Sequence, residues 1–231
     1  MATIADNLQR VKARIARAAQ AARRDPAAVT LLAVSKTHPL PRIEQAIAAG
    51  QRVFGENYVQ EALDKMDALA KKELRLEWHL IGPLQSNKTK TVAERFDWVQ
   101  TLDRVKIANR LSEQRPVHLP PLNVLIQVNV SGEASKSGLA IEDIAGFGQA
   151  VAALPRLRLR GLMSIPKPGA DVAAQFSRMR ELYEKLRQGL GFDTLSMGMS
   201  DDMESAIAEG ATLVRIGTAI FGQRTTEKTA A

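Results

Sequence analysis

Cysteine is absent from all 231 residues, which excludes disulfide frameworks, thiolate zinc sites and cysteine nucleophiles. A reducing, cytoplasmic setting fits that absence. Aromatic residues make up only 4% of the chain, too few to supply the stacking platforms on which single-stranded nucleic acid binds. No apolar run approaches the length of a membrane span, and no signal-peptide core follows Met1. No histidine pair has zinc-protease spacing, and neither a GxSxG nor a Walker A motif occurs. Of the three histidines, His38 and His118 lie in proline-flanked loops, and His79 reads as a satisfied residue inside the fold.

What is present is an ordinary globular composition, 45% hydrophobic and 25% charged, long enough for one sizeable core. The net charge of +7 comes from basic residues scattered among 25 acidic ones, so it outlines no nucleic-acid footprint, although a positive field favours a small phosphorylated ligand. Only the stretch from Arg10 to Arg24 is densely basic. There Ile4, Leu8, Val11, Ile15 and Ala22 recur at helical spacing and the cations fall elsewhere, which predicts an amphipathic helix with a solvated basic face.

Beyond that helix, short β-rich runs lie near Val29 to Ser35, Arg52 to Gly55, Leu76 to Ile81, Trp98 to Thr101, Leu122 to Val130, Leu157 to Met163, Thr194 to Met197 and Leu213 to Ile216. Helical periodicity separates successive runs, as in Phe176, Met179, Leu182, Tyr183 and Leu186. Eight strands alternating with helices predict an α/β fold: one (β/α)₈ TIM-type barrel over residues 1–222 with an extra N-terminal helix, then a flexible tail over 223–231.

A barrel carries its chemistry at the carboxyl ends of its strands. Polar residues and glycines gather at those positions. Lys36 follows the first run, Glu56 and Asn57 the second with Gly55 easing the turn, and Asn129 and Ser131 the fifth. Met163 and Ser164 follow the sixth, Ser200 the seventh, and Arg215, Gly217 and Thr218 the eighth. A phosphate needs a cluster of donors, and in barrels these come from the loops after strands 7 and 8. An amine that is to form an imine must lose its proton, yet at a reference pKa near 10.4 only roughly one lysine in 2,500 is neutral at pH 7. Burial and a neighbouring cation such as Arg215 both favour the neutral form. Lys36 across from a phosphate cradle is the arrangement a pyridoxal 5′-phosphate (PLP) aldimine requires. Plainer readings stand beside this one: a lysine snorkelling from a strand end, Ser200 as a helix cap, Asp201 and Asp202 as first-turn carboxylates, and Arg215 in an ion pair with Glu56.

The stretches AVSKTHP (33–39), FGENYVQE (54–61), WHLIGPLQSNK (78–88), GLMSIP (161–166), LSMGMSDDMESAIAEG (195–210) and VRIGTAIFG (214–222) carry a resemblance. The chain resembles the pyridoxal phosphate homeostasis protein family, single-domain relatives of the alanine racemase barrel. The resemblance implies that Lys36 carries the PLP aldimine and Asn57 lies beside the ring. It also implies that Ser200, Gly217 and Thr218 hold the phosphate, that Arg215 meets the pyridine nitrogen, and that Met163 and Ser164 line the same cavity. It further implies a carrier or regulator that buffers PLP and delivers it to apo-enzymes. Such a carrier is expected as a monomer or a weak dimer, without specific nucleic-acid or membrane partners. A weak PLP-dependent racemase and a cofactor-free Schiff-base aldolase are the alternatives. Alanine racemases take a second proton carrier, a tyrosine, from an additional domain; here Tyr58 and Tyr183 both fall in expected helices, and neither replaces it.

Overall fold

A computed structural model describes residues 2–72, 74–133, 137–167, 169 and 171–223. The tail expected over 223–231 lies outside the described residues from position 224 onward. The first helix, α1 (Ile4–Ala21), opens on a capping box in which Thr3 Oγ1 accepts from the Asp6 amide at 3.1 Å and Asp6 Oδ2 accepts from the Thr3 amide at 2.9 Å. Its buried stripe is Ile4, Leu8, Val11, Ile15 and Ala19. Ala19 replaces the expected Ala22 because the helix stops at Ala21 and the fourfold spacing from Ile15 ends one turn earlier.

The expected strands all form: β1 (Thr30–Val34), β2 (Val53–Glu56), β3 (Glu77–Leu80), β4 (Trp98–Leu102), β5 (Leu122–Val128), β6 (Leu157–Ser164), β7 (Thr194–Ser196) and β8 (Leu213–Ile216). All pairings are parallel, and β1 closes the barrel by setting Ala33 beside Phe54 and Leu32 beside Arg215. Crossover helices follow the strands: α2 (Leu40–Ala48), α3 (Val59–Leu69), α4 (Thr89–Arg95), α5 (Val105–Gln114), α6 (Ile144–Ala152), α7 (Val172–Leu190), α8 (Met203–Ala208) and α9 (Thr218–Phe221). No helix among the described residues is long and apolar enough to cross a membrane.

Alternation along each strand sends one set of side chains to the helices and the other into the barrel. Register partners share a face. Leu32 lies level with Arg215, Gly55 with His79, His79 with Trp98, and Met163 with both Gln127 and Ser196. The outward set packs with the helices into one large apolar cluster. Two small clusters, Leu32 with Ile81 and Leu213 and Trp98 with Leu125 and Met163, fill part of the interior. Gly55 serves that packing rather than a turn, because a Cβ there would stand 2.3 Å from Leu32 Cδ2.

Candidate functional site

The carboxyl ends of the strands enclose a cavity of about 250 Å³ lined by Lys36, Asn57, Ser200, Arg215, Gly217 and Thr218, with Val34, His38, Ile81, Ile165, Met199 and Asp201 completing its wall. Six of the eight residues expected at a site therefore meet in one place. Met163 and Ser164 do not form its wall. Met163 is fully buried inside the barrel against Trp98 and Leu125, and Ser164 contributes its carbonyl oxygen to Arg215. A strand end shows in sequence, but the depth at which its side chains lie does not.

Lys36 follows β1 and is half-buried. The next residue, Thr37, has φ +62°, a left-handed conformation that a β-branched side chain disfavours. Its amide is held by Glu61 Oε1 at 2.5 Å, and that same oxygen lies 2.6 Å from Lys65 Nζ. Lys65 is buried and also donates to Glu56 Oε1 at 2.7 Å and to the Ser35 carbonyl at 2.8 Å. A buried ion network thus fixes the loop that presents Lys36. The ion pair expected between Arg215 and Glu56 is absent for the same reason. Gly55 faces the interior, so Glu56 faces α3 and meets Lys65 instead. Burial pushes the Glu56 carboxyl up from its ordinary value, against the opposing pull of Lys65. Beside this loop a wider hollow of about 470 Å³ borders Thr37, Leu40, Glu61, Asp64 and Lys65. The donors of Lys65 are already engaged there, so the smaller cavity is the better-equipped site.

Opposite Lys36, the loops after β7 and β8 form one unit. Gly198 turns at φ +95°, and a Cβ there would meet Ala206 Cβ at 2.6 Å. Asp202 Oδ1 accepts from the Met199 amide at 2.5 Å, ahead of α8. Ser200 does not cap its own helix; its Oγ accepts from the Ala219 amide at 3.3 Å and bridges to the start of α9. Gly217 lies so close to β1 that a Cβ would stand 3.3 Å from the Val34 carbonyl oxygen.

Helix α1 braces this unit through contacts made at long sequence separation. Arg14 donates from Nε and Nη2 to the Glu204 carboxylate at 2.7 and 3.0 Å, and Nη2 also reaches the Ser200 carbonyl at 3.1 Å. Asn7 Nδ2 donates to the Ile220 carbonyl at 2.8 Å; beyond α1, Arg24 Nη1 donates to the Ile207 carbonyl at 2.7 Å, and Arg42 on α2 to the Phe221 carbonyl. The basic face of α1 is therefore not simply solvated. Arg14 on that face holds the loop after β7, and Arg24, three residues past the helix, holds the end of α8.

Arg215 is buried, and no carboxylate pairs with it among the described residues. Burial pushes its guanidinium down from its ordinary value to about 10, with Asp202 pulling the other way. Nη1 donates to Ser196 Oγ and Nη2 to the Ser164 carbonyl, both at 2.7 Å. At the cavity wall Asn57 Oδ1 is buried without a partner, as is Ser164 Oγ nearby. The Asn57 backbone approaches Gly82 so closely that a Cβ there would lie 2.2 Å from the Asn57 carbonyl oxygen.

Other expected positions lie elsewhere. Asn129 borders a separate hollow with Gln127, Ser137 and Ile165, and Ser131 Oγ donates to Asn129 Oδ1 at 3.2 Å. Tyr58 precedes α3 and is exposed, rather than helical as expected, and Tyr183 is buried on α7 against Phe192. Neither tyrosine lines the cavity. His38, set aside as a loop residue, does line it, with its ring stacked 5.0 Å from Phe221.

The family pattern described as alanine racemase, N-terminal domain, matches residues 7–225. A pyridoxal phosphate homeostasis protein of Pseudomonas aeruginosa is 64% identical over 227 residues, covering 97% of each chain. Two solved structures of PipY from Synechococcus elongatus superpose over 95% of this chain and 100% of theirs. The one without PLP has a TM-score of 0.85 at 37% identity, and the one with PLP bound 0.83 at 36%.

Proposed function

This chain belongs to the pyridoxal phosphate homeostasis protein family, and from that premise we propose that its cavity binds PLP reversibly, so that the protein buffers the cofactor and releases it to apo-enzymes in the cytoplasm. Bound PLP offers an aldehyde to a primary amine, a phosphate to hydrogen-bond donors and a pyridine nitrogen that can take a proton.

The donors and acceptors present fit that group. Lys36 supplies the amine. Across the cavity the Ser200 hydroxyl, with the backbone N–H groups of Gly217 and Thr218 at the start of α9, binds the phosphate. Asn57, whose Oδ1 is buried without a partner, lies beside the ring, and Arg215 faces the pyridine nitrogen.

The observation that carries the carrier reading is the setting of Arg215. Its guanidinium is buried and anchored by two neutral acceptors, with no carboxylate to take a proton from it. A group that stays cationic leaves the pyridine nitrogen unprotonated, and an unprotonated ring delocalises negative charge poorly. The cavity, at about 250 Å³, also falls below the range of about 300 to 1,000 Å³ usual for small-molecule sites, so little room remains for a substrate beside the cofactor.

His38 and Asp201 are the cavity-wall groups that a racemase would have to recruit as its second base. Amino acids incubated with the PLP-loaded protein in deuterated water decide the matter. The carrier exchanges α-protons far too slowly for metabolism. Rapid exchange that is lost in His38→Gln would establish an enzyme instead.

A further inference from the structure

Arg215 stands at one end of an unbroken line of side chains that crosses the interior of the barrel. Its Nη1 donates to Ser196 Oγ at 2.7 Å, and Ser196 Oγ donates to Gln100 Oε1 at 2.7 Å. Gln100 Nε2 lies 2.8 Å from His79 Nδ1, and His79 Nε2 lies 2.8 Å from Glu77 Oε1. Four consecutive members, Arg215, Ser196, Gln100 and His79, are buried, whereas the Glu77 side chain is 45% exposed at the start of β3. Arg215 lines the cavity at the carboxyl ends of the strands; Glu77 opens to water at their amino ends.

Chemistry at the two ends sets the direction of every bond between them. A guanidinium can only donate, so Ser196 Oγ accepts from it and gives its own hydrogen to Gln100. The Gln100 atom there must be the oxygen, which turns the amide nitrogen toward His79. His79 Nδ1 then accepts. A carboxylate can only accept, so His79 Nε2 carries the proton toward Glu77. Read from either end, the tautomer of His79 and the orientation of Gln100 come out the same. The chain runs donor to acceptor from a cation without a carboxylate partner to a carboxylate on the far side.

The surroundings hold this arrangement. His79 stacks on Trp98 at 4.9 Å with planes 8° apart, and the Arg160 guanidinium lies over the same Trp98 ring, 4.8 Å from its centroid. Burial pushes the His79 imidazole down from 6.5, against the pull of Glu77, and so keeps it neutral. The charged groups around the Glu77 end are Asp97, Arg160 and Asp193; Arg160 is engaged by Asp193 at 2.7 Å. Polar side chains at inward positions of strands are costly unless every donor and acceptor is matched.

We propose that Ser196, Gln100 and His79 are positioning residues that orient the Arg215 guanidinium at the cavity and couple its charge to Glu77 at the opposite end of the barrel. None of the three lines the cavity. They act by holding Arg215, and through it they tune the environment of whatever ring faces the guanidinium. This inference rests on the reading that PLP occupies the cavity with its ring toward Arg215.

The test uses the full-length protein loaded with PLP and reads the pH midpoint of the visible absorbance of the bound cofactor, a signature that loss of stability alone does not move. Glu77→Gln removes the negative end of the line, raises the positive potential at the cavity and lowers the midpoint. Gln100→Leu cuts the line, and in that background Glu77→Gln has no further effect. Ser196→Ala cuts it one step nearer Arg215 while deleting a single hydroxyl, which serves if Gln100→Leu does not fold; Ser196→Thr keeps the hydroxyl and the Glu77→Gln shift. A Glu77→Gln shift that survives either cut would show a field acting through space and overturn the relay. An unchanged midpoint in both Glu77→Gln and Ser196→Ala would overturn it as well. In each of these cases the unmutated protein still holds PLP on Lys36. An unmutated protein that does not bind PLP there would instead refute the reading of the cavity, and the relay with it.

Discussion

Arg14 reaches across from α1 to the Ser200 carbonyl at 3.1 Å while gripping the Glu204 carboxylate at 2.7 and 3.0 Å. A helix outside the eightfold repeat thereby fixes the loop whose serine faces the cavity. The extra helix is part of the site's scaffold as well as a cover for apolar surface.

Arg14→Ala should therefore weaken PLP more than it weakens unphosphorylated pyridoxal. A partly exposed contact of this kind is worth about 1 kcal/mol, or roughly a fivefold loss of affinity. Titrations with the two ligands in parallel check it. Equal weakening of both would mean that Arg14 supports the fold but not the phosphate loop.

Ser200→Ala tests the phosphate contact itself. Removing a hydroxyl that meets a charged group costs about 1 to 3 kcal/mol, confined to the phosphorylated ligand. An unchanged ratio of PLP to pyridoxal affinity would remove Ser200 from the phosphate site.

Gly82→Ala probes Asn57 indirectly. The added Cβ would sit 2.2 Å from the Asn57 carbonyl oxygen and 2.7 Å from its Cα, so the backbone has to move. Overpacking of this kind costs about 1 to 3 kcal/mol. Both the urea midpoint and the affinity for PLP should fall. A drop in stability with affinity intact would show that Asn57 does not touch the ligand.

Lys65→Met strands two carboxylates, Glu56 and Glu61, one of them fully buried. Breaking a buried pair typically costs about 3 to 5 kcal/mol. The pH dependence has a definite sign. Burial raises the folded-state value of Glu56 above 4.5, so its contribution to stability is full below 4.5 and declines as pH rises toward that raised value. Without Lys65 the raised value climbs further and the decline extends upward. Urea midpoints at about pH 5 and about pH 8 should diverge more in the variant than in the unmutated protein. Parallel changes at the two pH values would contradict the account.

The architecture was legible because each strand is a short apolar run between helical stretches; five of the eight strands lie on or within the expected runs, and β2, β4 and β6 each run one residue further at the carboxyl end. Lys36, Asn57, Ser200, Arg215, Gly217 and Thr218 were legible because position at a strand's carboxyl end places them at the mouth. What failed was orientation and depth. The plainer alternative of an Arg215–Glu56 ion pair fails because the inward Gly55 turns Glu56 outward, and Met163, expected in the cavity, lies level with Ser196 inside the barrel. Contacts made at long sequence separation, such as Arg14 with Ser200, leave no local pattern. The interior relay did leave one: Gln100 in WVQTL and His79 in EWHL are polar residues in strands that are otherwise mostly apolar.

The most direct test of the central claim is borohydride reduction of the PLP-loaded protein followed by peptide mapping. The account predicts a single pyridoxyl label on Lys36, absent in Lys36→Ala even where weak noncovalent binding persists. A label on Lys65 or Lys88 with Lys36 unmodified, or none at all on a protein that binds PLP, would contradict it.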